Sequence, residues 1–513
     1  MFKNQPKGLY VLALANTGER FGYYTMIAIL LLFLQAKFAF STATAGLIYS
    51  TFLALVYFMP IIGGWVADKW NFSKTVTLGI AIMFLGYGVL AYPTPRMETM
   101  SMITFFAGLL FISVGTGLFK GNLQVMVGDL YNNPKYESKR DVAFSLFYMA
   151  INIGAMFAPG VSKLLCSTAL ENAGFAYNSA LPSICNKVLA GDTLTAEASQ
   201  TIADIAAQHG LAVNDFAVRY MEALSTGYSW AFAVACGSMV LSFLIYKLGR
   251  STYASVTEKQ TAATANGNAS HTPELTKEQT RSRIVALMLV FAVVIFFWMV
   301  FHQNGVTLTK YAEVFTQSST SSWTHFLFNV WSLAGIVVLV YALFSTFQST
   351  GRSRIISGIV SVAAIALLVW YYGYLPAELT DIQPQEYQQF NPFYVVALTP
   401  FSVALFGWLG RKGKEPSAPR KIGMGMIVAA IAFAFIMIAS FGLGVAPEEG
   451  VADTLVSPNV LITTYLFLTF AELLLSPMGI SFVSKVAPPK YKGMMMGCWF
   501  GATAIGNYLV FIP

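Results

Sequence analysis

Charged residues are scarce in this chain of 513 residues. Asp, Glu, Lys and Arg together make up 11% of it, whereas soluble globular proteins contain about 25%. Hydrophobic residues make up 56%, and the mean hydropathy is +0.61. This composition excludes an ordinary soluble fold. The repeated apolar runs have the length of about 20 residues that crosses a bilayer, so the sequence predicts a polytopic membrane protein in contact with lipid.

Clusters of catalytic or metal-binding residues are also missing from the sequence. The four cysteines and four histidines show neither the spacing of a metal site nor that of a nucleophile beside a base. The net charge of +7 is spread over short loops, which does not indicate nucleic-acid binding. We therefore predict no enzyme activity, no cofactor or metal and no nucleic-acid partner. Cys166 and Cys185 flank a polar loop, and their spacing leaves a disulfide open.

Thirteen apolar runs predict thirteen membrane-spanning helices, because only helices and closed barrels satisfy the backbone in lipid. The runs lie near 9–37, 43–67, 75–93, 101–130, 137–165, 226–247, 284–308, 323–346, 354–375, 390–409, 421–444, 458–484 and 491–512. With the N-terminus inside, 23 of the 31 basic residues fall in inner loops and 6 in outer loops. The positive-inside rule therefore predicts a cytoplasmic N-terminus.

Two polar segments divide the chain. We predict an N-terminal helical bundle over 1–248 with an extracytoplasmic insertion at 166–225, a cytoplasmic linker at 249–281, and a C-terminal bundle over 282–513. The second bundle contains an extra apolar hairpin at 323–375. Two bundles of six core helices are typical of a transporter. Because the hairpin leaves eleven core spans, the twelfth core helix is expected beyond Pro513.

Four ionisable residues stand out because they lie at similar depth within predicted spans. Glu19 and Arg20 interrupt the first apolar run, and Lys120 and Glu472 interrupt later ones. A charge at the centre of a spanning helix costs roughly 2.5–3.5 kcal/mol, so these side chains should face a protein interior or a wet cavity. The structural alternative for the adjacent pair is an ion pair that only holds helices together.

Five short stretches carry a specific resemblance, in order along the chain. They are Glu19-Arg20-Phe21-Gly22-Tyr23-Tyr24, Gly63-Gly64-Trp65-Val66-Ala67-Asp68-Lys69, Gly115-Thr116-Gly117-Leu118-Phe119-Lys120-Gly121-Asn122, Phe147-Tyr148-Met149-Ala150-Ile151-Asn152-Ile153-Gly154 and Glu472-Leu473-Leu474-Leu475-Ser476-Pro477-Met478-Gly479. Together they resemble the proton-dependent oligopeptide transporters, a branch of the major facilitator superfamily. Gly121 stands where that family usually has proline. Asn391-Pro392 and the loop 410–416 fit the same family.

The resemblance implies a symporter that imports di- and tripeptides with protons by alternating access. It further implies the major facilitator fold, a plasma (inner) membrane location and function as a monomer. Arg20 and Lys120, the intramembrane cations of the N-terminal half, are the candidates for the peptide carboxylate, and Glu472 for its amino group. Hydrogen bonds and aromatic walls are expected from Tyr23, Tyr24, Tyr57, Asn152, Trp298, Asn391, Ser476 and Trp499. For the aromatic residues and Asn152, helix packing is the alternative. Gly63, Gly64 and Asp68 are expected to be structural or gating residues.

Proton coupling is where the chain departs from the family. Asn16 replaces a usual glutamate and cannot titrate, while Ile27 and His302 replace a usual arginine and a usual acid. We assign coupling to Glu19, Arg20, Lys120 and His302, since imidazole titrates near physiological pH. A neutral, hydrogen-bonded His302 is the alternative. Rival functions are transport of another small anion or zwitterion, and peptide transport without strict proton coupling. A membrane enzyme or a non-transporting sensor is more remote.

Overall fold

The computed structural model of the protein shows a helical chain with seventeen α-helices in the residues that it describes. Those residues are 4–40, 42–176, 181–254, 275–305, 307–376, 378–379, 382, 384–445 and 452–511. The one sheet among them is an antiparallel pair of two-residue strands, β1 (Thr320–Ser321) and β2 (Glu378–Leu379). The all-α prediction is therefore confirmed apart from this short ladder.

Eight helices form the first part of the chain. They are α1 (Lys7–Phe38), α2 (Thr42–Lys69), α3 (Phe72–Ala91), α4 (Thr99–Leu130), α5 (Arg140–Asn172), α6 (Leu181–Ala190), α7 (Ala196–Gln208) and α8 (Val213–Leu248).

Nine helices follow in the second part. They are α9 (Lys277–Phe301), α10 (Thr307–Phe315), α11 (Ser322–Phe328), α12 (Val330–Gln348), α13 (Arg352–Tyr374), α14 (Phe390–Arg411), α15 (Ala418–Ala439), α16 (Pro458–Val486) and α17 (Lys492–Tyr508).

Eleven of the described helices are long and apolar enough to cross a membrane. They are α2, α3, α4, α5, α8, α9, α12, α13, α14, α15 and α16. Two further helices pack along them: α1 against α5 and α8, and α17 against α2 and α9. The structure therefore contains a helix at each of the thirteen predicted spans.

The helices separate into two groups by their contacts. In the N-terminal group, α1 packs on α5 and α8, and α3 packs on α4 and α8. In the C-terminal group, α16 packs on α14 and α15, and α9 packs on α17. Helices α3 and α4 approach closely because Gly79 faces Gly115, where a Cβ would lie 2.8 Å from the Gly115 carbonyl oxygen. Small residues allow such approach in membrane helices, where lipid supplies no hydrophobic driving force.

The two groups meet toward one end of the molecule. That end carries the loops after α2, α4, α14 and α16, which the sequence predicts to be cytoplasmic, and we call it the inner end. There α2 packs against α17, and α5 packs against α14 and α16. The backbones of α2 and α17 approach so closely that a Cβ on Gly497 would overlap the Pro60 carbonyl group.

The predicted outer insertion at 166–225 is wrong in its extent. Helix α5 continues to Asn172 and α8 begins at Val213, so the non-spanning part is reduced to α6, α7 and their connections. The α8 extension carries a buried aromatic face: Phe216 and Tyr220 lie 5.3 and 5.8 Å, between ring centroids, from Phe175 in the segment that follows α5. Hydropathy shows only the apolar part of a spanning helix, so it misses polar extensions with one packed face.

Cys166 and Cys185 are both free and buried in the structure. Cys166 packs against α8 at Gly227, where a Cβ would lie 2.7 Å from the Cys166 Cα. Burial raises the pKa of the Cys185 thiol, which lies on α6 outside the spanning helices, to about 12. The structure therefore shows two unreactive core thiols in place of the disulfide that the sequence left open.

Most of the predicted linker at 249–281 lies outside the described residues, which leave out 255–274. On the far side of that gap, Thr276 begins α9 with a capping box: its hydroxyl accepts from the Gln279 N–H, and the Gln279 side chain accepts from the Thr276 N–H. The predicted extra hairpin corresponds to α12 and α13, which pack on each other. Tyr341 of α12 donates to the Val396 carbonyl of α14 at 3.0 Å, which ties the hairpin to the C-terminal group.

Candidate functional site

Glu19 and Arg20 form a buried ion pair in the middle of α1. The Arg20 guanidinium donates two hydrogen bonds to the Glu19 carboxylate. Arg20 is 2% exposed and Glu19 is 0% exposed. The guanidinium carbon lies 4.5 Å from the centre of the Tyr23 ring. Each charge is thus largely neutralised by its neighbour, which offsets part of the cost of burial.

Lys120 presents a different environment on α4. Its ammonium lies 4.0 Å from the centre of the Tyr57 ring of α2 and 4.4 Å from that of Phe500 of α17. The side chain is half-buried. Among the described residues it has no hydrogen-bond or ion-pair partner. Aromatic faces stabilise a cation but leave its N–H groups free, so Lys120 can still donate to an anion.

Glu472 is held at mid-length of α16 and is 4% exposed. The Tyr148 hydroxyl of α5 donates to one of its oxygens, and the Asn391 amide of α14 donates to the other at 2.6 Å. Asn391 also donates to the Thr469 hydroxyl at 3.1 Å. No basic side chain in the described part of the chain lies within ion-pair distance of this carboxylate. Its hydrogen bonds therefore come from neutral groups on both helix groups.

Tyr148 is the site residue that the sequence reasoning missed. It lies in the quoted motif 147–154, four residues before Asn152, so a helical repeat places both on one face of α5. Asn152 itself donates to the Tyr148 carbonyl at 3.0 Å, which is a bond within its own helix. The same-face spacing could have drawn attention to Tyr148. Only the packing of α5 on α16 reveals its contact with Glu472.

The remaining predicted residues differ in how deeply they are buried. Tyr24 is half-buried and meets Tyr23 edge-on at 5.4 Å between ring centroids. Trp499 is 2% exposed and fills the space over Gly479, where a Cβ would overlap its ring. Trp298 is 8% exposed and packs beside His302 at 5.2 Å between ring centroids. Ser476 is buried one helical turn from Glu472.

His302 begins the short 3-10 turn that ends α9. Its Nδ1 lies 2.9 Å from the Trp298 carbonyl oxygen, which accepts a hydrogen bond from that nitrogen. The ring is half-buried, and its charged form would interact electrostatically with Lys120. The structure therefore places His302 within electrostatic reach of the free cation of α4.

Several hydrogen bonds and ion pairs close the inner end between the two groups. The Asp68 carboxylate accepts from the N–H groups of Gly493 and Met494 at 2.8 and 2.9 Å. Lys492 donates to Asp129 at 3.0 Å. The other connections are Arg140 with Ser484, Asp141 with Ser481, and Asp141 with Lys421. Gly64 lies there too, because a Cβ on it would overlap the Gly493 carbonyl.

Comparison with known proteins identifies the family. A sequence model described as the POT family matches residues 73–272 and 366–512. The chain belongs to the POT family. The resemblance inferred from the five motifs is therefore confirmed.

Relatives of this POT family chain match it over nearly its whole length. It is 29% identical over 527 aligned residues to the uncharacterized transporter YclF of Bacillus subtilis, covering 97% of this chain and 85% of the relative. It is 25% identical to the dipeptide and tripeptide permease B of Salmonella typhimurium, covering 98% of this chain and 86% of that one.

Solved structures agree on the fold of this POT family protein. A peptide transporter POT in complex with sulfate matches with a TM-score of 0.56 at 22% identity, over 100% of this chain and 89% of that one. A POT family transporter in complex with 5-aminolevulinic acid matches with a TM-score of 0.57 at 19% identity, over 100% of this chain and 91% of that one. The predicted fold class, an all-α major facilitator architecture, is confirmed.

Proposed function

We propose that this protein imports di- and tripeptides by alternating access and couples their movement to protons. The observation that carries the proposal is the pair Lys120 and Glu472. They lie in different helix groups, and neither side chain has an oppositely charged partner within ion-pair distance among the described residues. A zwitterionic peptide offers a carboxylate for the first and an ammonium for the second. The peptide-permease names of several relatives support the same substrate class.

Arg20 has a smaller role in this proposal than the sequence suggested. Its guanidinium is already occupied by Glu19, so Lys120 is the primary partner for the peptide carboxylate. The half-buried side chains Tyr24, Tyr57 and Tyr148 lie at the same depth and form the aromatic wall. Trp499 and Asn152 act mainly in helix packing, because their contacts are with their own helix group.

The conformation supports a carrier in its outward-facing state. Every hydrogen bond and ion pair between the two groups that the structure gives for the described residues lies at the inner end or at mid-length. The half-buried Lys120 and Tyr57 lie at mid-length, away from the contacts of the inner end. Peptide would enter from outside, and the inner contacts would break to release it. This direction of transport assumes a cytoplasmic N-terminus in a plasma (inner) membrane. We propose that a single chain transports the peptide.

Dipeptide uptake tests the proposal directly. We expect labelled dialanine to accumulate in proteoliposomes when the outside is acidic, and Glu472→Gln to lower the uptake rate by at least about tenfold. Glutamine keeps the size of the side chain but loses the charge, and hydrogen bonds to charged groups contribute about 1.5–3 kcal/mol. Glu171→Gln, on the exposed outer end of α5, should transport like the wild type. No dialanine uptake by folded wild-type protein would refute the peptide assignment.

Peptide transport without proton coupling is the second candidate. The bidentate pairing of Glu19 with Arg20 favours it, because the guanidinium occupies both oxygens of the carboxylate. Asn16 is buried beside them and cannot titrate at all. This candidate predicts that the initial rate of dialanine uptake is the same with and without a proton gradient. It also predicts that dialanine does not accumulate above equilibrium in either case.

The variant His302→Gln tests whether His302 couples peptide transport to protons. If His302 carries the coupled proton, we expect the variant to lose accumulation against a gradient while it still exchanges peptide across the membrane within about twofold of wild type. Glutamine can donate to the Trp298 carbonyl, so the structural hydrogen bond is kept. His209→Gln, on an exposed outer position, is the control. Full accumulation in His302→Gln would remove this residue from the coupling path.

A further inference from the structure

A polar cavity lies at the outer end of the N-terminal group, 17 residues along α1 from Arg20 of the central site. It has a volume of about 410 Å3 and is lined by the outer ends of α1, α3 and α8 and by the loop 92–98. Its ionisable lining residues are Lys37, Arg96 and Glu222. Cavities that bind small molecules are typically about 300–1,000 Å3. Its size and charges fit a bound polar group.

The two cations of this cavity lie side by side. Lys37 is 5% exposed and donates one hydrogen bond, to the Thr94 carbonyl. Arg96 donates from Nε to the Ala36 carbonyl at 2.9 Å and from Nη2 to the Asn186 side chain at 3.3 Å. Among the described residues, the other N–H groups of Lys37 and both N–H groups of Arg96 Nη1 have no hydrogen-bond partner. Two adjacent cations with spare donors favour an anion that accepts from both.

One face of α8 supplies the rest of the cavity. Glu222, Ser225, Thr226, Ser229 and Trp230 follow the helical repeat and line it together. Glu222 interacts electrostatically with both Lys37 and Arg96 but lies beyond ion-pair distance of either. The cavity therefore presents a cationic side, a hydroxyl-lined middle and a single carboxylate, which matches a zwitterion that joins a phosphate to an amine.

The surroundings are those of a lipid interface. Trp230 is 38% exposed at the cavity and Tyr92 beside it is 69% exposed, and such residues concentrate at the headgroup level of membranes. Further along the same two helices toward mid-membrane, Leu85 of α3 and Leu241 of α8 are both 56% exposed. Acyl chains leaving the cavity would lie on this apolar surface.

We propose that this cavity binds the headgroup of an outer-leaflet phospholipid with a phosphoethanolamine head. Lys37 and Arg96 hold the phosphate, Glu222 holds the ammonium, and the chains pack on α3 and α8. This assignment does not depend on the transported substrate. It also explains why two of the few outer basic residues come together, although the positive-inside rule places most basic residues at the inner end.

Native mass spectrometry of delipidated protein tests the assignment, with phosphatidylethanolamine and phosphatidylglycerol of the same chains added separately. We expect the ethanolamine lipid to bind more tightly. Arg96→Ala should weaken that binding by about tenfold or more, as for loss of a charge-assisted hydrogen bond. Lys187→Ala, an exposed basic position on α6, is the control and should bind as the wild type. Unchanged lipid binding in Arg96→Ala would overturn the site.

Two further comparisons separate the possible ligands. Glu222→Gln should keep lipid binding but lose the preference for ethanolamine over glycerol, because only the ammonium contact is removed. Soluble O-phosphoethanolamine and inorganic phosphate should not raise the melting temperature of the wild type at concentrations where the lipid does. Equal affinity for both lipids in the wild type would overturn the ethanolamine assignment. Stabilisation by inorganic phosphate alone would show a free-anion site and no lipid.

Discussion

Lys120→Ala is expected to abolish gradient-driven uptake of dialanine, with a loss of at least about 100-fold in kcat/KM. The ammonium is the unpaired mid-membrane cation of the described residues. Hydrogen bonds to charged groups contribute about 1.5–3 kcal/mol. A 100-fold change corresponds to about 2.8 kcal/mol, at about 1.4 kcal/mol per factor of ten. Arg20 cannot replace it, because its guanidinium is held by Glu19. Radiolabelled uptake in proteoliposomes measures the loss.

Matched variants decide whether the loss comes from the charge. Lys120→Arg keeps a cation between the Tyr57 and Phe500 rings and should retain a measurable fraction of uptake. Lys135→Ala removes an exposed inner lysine and should leave uptake unchanged. If Lys120→Ala elutes as a folded protein and still transports within threefold of wild type, the peptide carboxylate is bound elsewhere.

Gly64→Ala is expected to prevent closure of the inner end. A Cβ at this position would overlap the Gly493 carbonyl of α17, and both partners are backbone, so neither can rotate away. Overpacking of this kind costs about 1–3 kcal/mol, which shifts a two-state equilibrium by about 5- to 150-fold. The variant should favour the inward-open conformation and lose most of its uptake.

Spin labels at Lys74 and Lys490, two exposed residues at the inner end, measure this shift in a cysteine-free background. Their distance distribution should move to longer values in Gly64→Ala. Gly46→Ala lies on the same helix, where a Cβ would meet nothing within 4 Å, and should keep the wild-type distribution. An unchanged distribution in Gly64→Ala would show that α2 and α17 do not close against each other in the membrane.

Much of the fold was predictable because lipid imposes a simple rule on sequence. Apolar runs such as 75–93 and 458–484 located α3 and α16 to within a few residues, since no other structure satisfies the backbone in a bilayer. The start of α8 at Val213 was missed by thirteen residues when compared with the predicted 226. That extension is stabilised by tertiary contacts of Phe216 and Tyr220, which hydropathy does not report.

The charged residues of the site could be predicted from the sequence, but the contacts that they make with each other and with neighbouring side chains could not. Sequence placed Arg20, Lys120 and Glu472 at one depth, because each interrupts an apolar run. Which cation stays free depends on side-chain geometry: Arg20 folds back on its neighbour Glu19, while Lys120 extends between two rings. The contact of Tyr148 with Glu472 joins residues 324 positions apart, and no local pattern encodes it.

The contact of Asp68 with α17 has a further consequence. Helix α17 begins at Lys492 after Tyr491, whose side chain makes no capping hydrogen bond. Its Gly493 and Met494 N–H groups are among those that every helix leaves unpaired at its start, and the carboxylate that pairs them comes from α2. Asp68 therefore serves α17 as an N-cap supplied by the opposite helix group. Opening the inner end uncaps a helix, so the cost of releasing cargo includes loosening the first turn of α17.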